Sequence, residues 1–399
     1  MAWRNLGRNR RRSTITASAV AFALFFAISL RSLQLGIHEH MIDTIIGGVS
    51  GYIQVSDSSY WPAQNIDLAI PENTRWFDKL ENDDRVKSVR PRLSGFNLLS
   101  YKNESSVAQW IGVDFEKEDT AFWNNKLITG SFKDRKSKII PVWLGRKLAF
   151  LLNVNIGDTI VGLGQGYQGG LANDLLLVAG TLKLGNPELE KRAAILKLKD
   201  AQEYSGAYGM WGSVLITPKD KKNSLNLTSA LSLDHKLKGA SWSSWEERVP
   251  ELKQAIRADS TGGIVTLFIL YIVISFGLLG TMIMLANERQ REFTMQIALG
   301  VKRRILTRVV LIEALLMGLL GSIIGITLGR SLAYFLHLNP PRLLGDAALA
   351  MENMGWEPVL PPSLDWSIAI THTSIVLFIV LFVSFWPVFV VYKSPAINR

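Results

Sequence analysis

Four long apolar runs restrict what this chain can fold into: roughly Ser13–Gly36, Gly262–Ala286, Arg308–Phe335 and Trp366–Tyr392. A helix needs about 20 apolar residues to cross the hydrocarbon core of a bilayer, and in lipid each backbone polar group must be satisfied within the segment. The runs predict a membrane protein with four transmembrane helices. About 225 residues, 37–261, lie between the first and second runs, and about 30, 336–365, between the third and fourth. The longer stretch is large enough for one or two folded lobes.

The formal net charge of +10 over 399 residues first raises nucleic-acid binding. Its placement argues against that. Residues 37–261 carry 28 Lys and Arg against 27 Asp and Glu, whereas the first twelve residues hold Arg4, Arg8, Arg10, Arg11 and Arg12 with no acid. Arginines before a short apolar run also open secretory signal peptides. Here no small-x-small cleavage site follows and Arg31–Gly36 continues with helical character, so the run reads as a retained span. Its arginines then put the N-terminus in the cytoplasm. The short loops agree: Arg289, Arg291, Lys302, Arg303, Arg304 and Arg308 lie between the second and third runs, while Arg342 faces Asp346, Glu352, Glu357 and Asp365 after the third. Both termini are expected in the cytoplasm and the large domain outside it.

That domain reads as mixed α+β. Strands are expected at Gly51–Val55, Val86–Val89, Phe96–Tyr101, Val107–Val113, Thr159–Leu163, Leu175–Gly180, Ala193–Lys199 and Ser213–Thr217, with helix starts at Trp76–Leu80 and Asp200–Tyr204 and a helix-like run at Leu144–Leu152. Gly162–Asn173 has five glycines and reads as a flexible hairpin tip, with Gln165, Tyr167, Gln168 and Leu171 as a possible partner-binding loop. Trp242, Trp245, Leu252 and Ile256 are expected on one helix, Ser243–Ser260, leading into the second span.

Catalytic chemistry is not legible. The chain has no cysteine, no GxSxG, no HExxH and no GK[ST] phosphate loop. His38 and His40 lack a third clustered ligand, so neither a metal site nor catalytic residues are expected. Arg31 and Arg330, near the outer ends of their spans, are read as snorkelling anchors, and Glu313 as an interfacial group with Arg308 as its partner.

Two features point to packing and coupling. Gly321, Gly325 and Gly329, with Gly318 before them, recur at four-residue spacing, so one face of the third span is smooth enough for close helix approach. Gly277 and Gly280 of the second span are the expected opposing surface. Between these spans, Asn287–Arg304 reads as a charged exit with Glu288, Arg289, Arg291 and Glu292, then a short helix with an apolar edge of Phe293, Ile297 and Leu299 ending at Gly300. Such an edge in a cytoplasmic loop calls for a docking partner.

These residues carry a resemblance. NERQREFTMQIALGVKRRILTRVVLIEALLMGLLGSIIGITLG, 287–329, resembles the signature of MacB-type (type VII) ABC transporter permeases with an FtsX-like domain. Similar matches occur at Ala2-Trp3-Arg4-Asn5 with Arg8-Asn9-Arg10-Arg11-Arg12, at Trp386-Pro387, in the Lys393–Arg399 ending, and at SGYIQV, WIGVD, LAFLLNVNIGD and LVAGTLKLGNPELE. The ending departs from the family pattern, with Asn398 where a leucine is usual, and Glu190 stands where many relatives have Asp.

The resemblance implies four transmembrane α-helices plus a large α+β extracytoplasmic domain between helices 1 and 2. Residues 1–36 would be the cytoplasmic N-terminus and first span, 37–261 a MacB-like periplasmic domain with stalk helices, and 262–399 the FtsX-like permease domain. The last divides into a second span 262–286, a cytoplasmic coupling helix 287–306, a third span 307–335, a loop 336–365 and a fourth span 366–392. It implies a non-catalytic subunit of the bacterial inner membrane, with no cofactor of its own, beside a separate cytoplasmic ABC ATPase dimer that binds ATP and Mg²⁺. Glu288, Arg289, Glu292, Phe293, Ile297, Leu299 and Gly300 would receive that motor. Further implied partners are a second permease subunit, the same or homologous, and a periplasmic carrier, adaptor or cargo. The function implied is mechanical coupling of ATP hydrolysis to the periplasmic domain for lipoprotein release or extraction. Efflux of a drug, peptide or toxin with an adaptor, or activation of an envelope hydrolase by an FtsX-like signalling scaffold, are the alternatives.

Overall fold

The structure, a computed structural model, describes residues 10–60, 64–118, 120–132, 138–184, 186–353 and 358–393. The motif matches at Ala2–Asn9 and at Ser394–Arg399 lie outside the described residues. The described residues form two compact units, one within 10–40, 254–342 and 359–393, the other within 41–253 and 343–358.

The first unit is helical. Four of its helices are long and apolar enough to cross a membrane, at Ser13–Gly48, Pro250–Met284, Arg303–Leu338 and Trp366–Tyr392. The first helix, Arg10–Ile42, runs on as a π-helical segment, Asp43–Ser50. The second is a single helix of 49 residues, Pro250–Ala298. The third is Arg303–Leu338. The fourth, Trp366–Val383, breaks at Ser384 and resumes as Phe385–Lys393. Pro387 explains the break, because it lacks the N–H that would bond the Val383 carbonyl.

The core of this unit takes Val20, Leu24 and Ile28 from the first helix, Leu278 and Met282 from the second, Ala314 and Met317 from the third, and Val376 and Val380 from the fourth. At one end the segment leading into the fourth helix closes over the bundle. Ser363 N donates to Ser32 O at 2.7 Å, Arg330 Nη2 to Leu364 O at 3.1 Å, and His337 Nδ1 lies 2.9 Å from Pro362 O. Arg330 also stacks 3.7 Å from the Trp366 ring centroid. This corrects the snorkelling role given to Arg330: its guanidinium is engaged by the protein.

The second unit is built on one sheet. Its strands are β1 Ile53–Asp57, β3 Val86–Tyr101, β4 Glu104–Val113, β5 Leu127–Gly130, β6 Ile140–Gly145, β7 Thr159–Gly164, β8 Asp174–Leu182, β9 Ala193–Lys197, β11 Ser213–Pro218 and β12 Ala240–Ser244; β2 Ile70–Pro71 and β10 Met210–Trp211 form a separate pair. The order is β12-β1-β11-β3-β4-β9-β6-β8-β5, and β7 pairs with both β3 and β8. Strands β3, β4, β9, β6, β8 and β7 therefore pair round into a closed ring. Only β4–β9 and β6–β8 are parallel. Gly95 and Gly112 allow close packing inside it, since a Cβ would stand 2.6 Å from the Trp110 ring and 2.6 Å from the Ala201 Cβ.

Two expectations for this unit are corrected. The separate strands at Val86–Val89 and Phe96–Tyr101 are one, β3, which runs through Arg90-Pro91-Arg92. Both arginines are buried on Glu118: Arg90 Nη1 at 3.1 Å and Arg92 Nη2 at 2.5 Å. Burial pushes the Glu118 carboxyl up, but Arg92 and Arg90 outweigh it and leave it below the usual carboxylate range, while burial draws the Arg92 guanidinium down. The expected helix Ser243–Ser260 is formed only from Pro250, where it carries Leu252 and Ile256 and runs unbroken into the second span. Trp242 lies in β12 opposite Val55, a short capped helix covers Trp245–Arg248, and the second helix begins only at Pro250. Arg248 binds the carbonyls of Ser50 and Gly51 at 2.7 and 2.5 Å, and burial lowers its pKa to about 10.

Candidate functional site

The residues expected to receive a motor lie where the second helix ends and the third begins. The reading of 287–306 as a separate coupling helix after a charged turn is corrected. Residues 287–298 are the last turns of the second helix, 299–302 form the turn, and the third helix starts at Arg303. The stop is a Schellman motif: Val301 N donates to Gln296 O and Gly300 N to Ile297 O, each at 3.0 Å. Gly300 has φ +94°, which a side chain would oppose.

Helical spacing then separates the expected coupling residues. Phe293 is buried at 3% exposure in a cluster with Leu306, Val310 and Val391, with Ile297 packed partly against it. Leu299 is 85% exposed, and Met295 and Glu288 are exposed as well. The single apolar edge of Phe293, Ile297 and Leu299 is thus corrected: Phe293 holds the turn from within and Leu299 stands at its tip. Glu292 is half-buried, 3.6 Å from Arg289 Nε.

Arg289 turns inward. Its Nη1 lies 2.7 Å from Glu313 Oε2, both side chains are buried, and its guanidinium stands 5.4 Å from the Phe293 ring centroid. The expected Arg308–Glu313 pair is therefore corrected, and Arg308 is exposed. Arg303 Nη1 donates to Tyr392 O at 2.5 Å, tying the start of the third helix to the end of the chain's last described helix. Sequence reasoning missed this bond, and no spacing signal links residues so far apart. The arrangement is a helical hairpin locked by a buried ion pair, an apolar plug and a backbone tether, with an apolar tip presented outward.

The glycine face does pack closely, on a different partner from the one expected. A Cβ on Gly321 would meet Ala17 O at 2.5 Å, one on Gly325 would meet Ala21 O at 2.7 Å, and Gly329 faces Ile28 at 3.2 Å. These belong to the first helix. Gly318 instead faces Leu377 and Val380 of the fourth. Gly277 and Gly280, the expected opposing surface, have open space where a Cβ would stand.

The possible partner loop is ordered more than its glycines implied. Gln165 bridges to Leu171, a 3₁₀ turn covers Tyr167–Gly169, and Gln168 N donates to Asp67 Oδ1 at 2.6 Å. Leu171 is 77% exposed at its side. Among the described residues no three His, Cys, Asp or Glu side chains cluster as metal ligands. His38 pairs instead with Asp259 at 2.7 Å.

These features define a four-span membrane protein with a large α+β domain inserted after the first span. Residues 264–396 match the FtsX-like permease C-terminal family. It is 22% identical over 261 residues to the lipoprotein-releasing system transmembrane protein LolC of Xylella fastidiosa, a match over 64% of this chain and 62% of that one. The match therefore spans a little under two thirds of that relative's length. The LolC protein of Neisseria meningitidis is 20% identical over 330 residues, covering 78% of this chain and 79% of that one. Among solved structures, the periplasmic region of MacB from Actinobacillus actinomycetemcomitans aligns with 54% of this chain and 95% of its own at 16% identity and TM-score 0.35.

Proposed function

We propose that this chain is the transmembrane subunit of a mechanotransmitting ABC transporter of the bacterial inner membrane. A separate cytoplasmic ATPase dimer, which binds ATP and Mg²⁺, docks at the turn 299–302, and the large domain faces the periplasm. ATP binding displaces the locked hairpin, the motion travels along the second helix, and the large domain acts on a lipid-linked substrate, releasing a lipoprotein to a periplasmic carrier. The LolC relatives motivate that choice of cargo. A second permease subunit packs on the bare face of the second span, where Ile269, Val273 and Phe276 are exposed.

The observation that carries this reading is the hairpin itself. A buried ion pair and the Phe293 plug make the turn stiff, and a stiff connection transmits a push where a flexible linker would absorb it. Leu299 at the tip is the apolar group a motor would cover. Leu299→Asp is expected to abolish pull-down of the cognate ATPase without changing thermal unfolding of the chain in detergent. Unchanged pull-down with Leu299→Asp removes the coupling assignment. Phe293→Asp is a poorer test, because a charge buried among Leu306, Val310 and Val391 would unfold the turn first.

A further inference from the structure

The chain enters the large domain at residue 41 and leaves it at residue 253. The way in is the π-helical segment Asp43–Ser50, and the way out is the capped turn Trp245–Arg248 followed by the second helix at Pro250. A helix ends on carbonyls that have no partner within it, and the negative end of its dipole lies there. Here three arginines from elsewhere in the domain take those carbonyls. Arg90 Nη2 donates to Gly47 O at 3.1 Å and Arg92 Nη2 to Gly48 O at 3.4 Å. Arg248 donates from Nη1 to Ser50 O at 2.7 Å and from Nη2 to Gly51 O at 2.5 Å.

Arg248 differs from the other two. Arg90 and Arg92 lie in β3 and share Glu118, so they fix the incoming segment to the sheet. Arg248 closes the outgoing turn just before Pro250, and its Nη1 also donates to Gln54 Oε1 of β1 at 2.7 Å. One side chain therefore bonds the way in and the first strand, while its own backbone belongs to the way out. The planar fork of a guanidinium holds several acceptors at fixed angles, which an ammonium on a flexible stem does not reproduce. Strand pairing does not extend this far: the β1–β12 ladder stops at Ile53 opposite Ser244, with a further backbone bond from Trp245 N to Tyr52 O at 2.8 Å. Gly51, at φ +69°, makes the bend from the π-helical segment into β1, and a Cβ there would stand 2.8 Å from the Leu215 Cβ.

We infer that Arg248 is a positioning residue that makes the two passages into the large domain one stiff joint, so that the domain follows the first and second helices together and not the second alone. The inference rests on the proposed transmission of motion and names the residue through which that motion enters the domain. A stiff joint passes on a displacement that a loose one absorbs.

The test is hydrogen exchange of the full chain in detergent, read by mass spectrometry on peptides from 43–52, 245–253 and 86–113. Arg248→Met is expected to speed exchange on the order of tenfold in both passages, the worth of a hydrogen bond to a charged group, and to leave 86–113 unchanged. Arg248→Lys, which keeps the charge without the fork, should recover only part of that protection. Gly51→Ala, opposed by the positive φ, should loosen 43–52 and carry the disturbance into 245–253 while Arg248 is present, but not once methionine replaces it. A role confined to local stability would make the two changes additive. Faster exchange in one passage alone, full protection with Arg248→Lys, or additive effects of Gly51→Ala and Arg248→Met each overturn the joint. If Arg248→Met does not fold, Gly51→Ala is compared in the unaltered and Arg248→Lys chains, where the transfer to 245–253 should shrink, and an equal transfer in both overturns it. The chain is measured without its ATPase, so this outcome is separate from that of Leu299→Asp, which tests the transporter reading.

Discussion

The second and third spans have the same mean hydropathy, 2.4, yet 11% of the most apolar stretch of the second is buried against 44% of the third. Both satisfy the same requirement of the bilayer. They differ in side-chain size along one face. The third carries glycines that let the first helix approach to its backbone, and in lipid, where burial of apolar surface gives helices no reason to associate, such van der Waals contact is what holds them. The second also has glycines, Gly277 and Gly280, but they face open space, and its neighbours Ile269, Val273 and Phe276 are left for lipid or another subunit. Hydropathy identifies a span; surface shape assigns its neighbours.

This contrast can be tested from its strongest link downward. The two spans are joined by Arg289 on one and Glu313 on the other, so Glu313→Ala leaves a buried cation and should cost about 3–5 kcal/mol in detergent unfolding. The double replacement Arg289→Met with Glu313→Leu should recover most of that. A loss no larger than that of the exposed Glu288→Ala would show that the pair does not hold the hairpin. Next in size, Gly321→Leu and Gly325→Leu should each destabilise the bundle by about 1–3 kcal/mol through overpacking against the first helix, whereas Gly277→Leu and Gly280→Leu should leave the isolated chain unchanged. Equal losses at both pairs would erase the distinction between the spans. A last measurement carries no stability effect: single cysteines at 302 and 345, on either side of the third span, should be labelled from opposite faces of the membrane, 302 from the cytoplasm. Labelling of both from one side would break the proposed topology.

Much of the architecture was legible because its causes are local. Unbroken apolar runs gave the four helices, and Gly300 was legible as a helix stop, though of a separate short helix rather than of the second, because only glycine takes the φ of +94° found there without strain. The misreadings have a common cause. Arg308 lies five residues from Glu313, a spacing that puts the two on different faces of one helix, so the partner came from another helix altogether. Arg90-Pro91-Arg92 looked like a break in a strand because charge and proline oppose one, until Glu118 arrives to pair both arginines. Trp242 followed a helical apolar spacing but pairs as a strand with Val55.

The sequence by itself determined the number of spans, the α+β character of the inserted domain and the existence of a smooth helix face. Those properties depend on the residues of one segment and on the solvent it meets. Only the tertiary structure decided that the glycines meet Ala17 and Ala21, that Phe293 plugs the hairpin while Leu299 tops it, and that Gln34 ties Arg31 to Asp259. Each of those depends on which distant backbone comes within a few ångströms, and spacing along one chain does not contain that information.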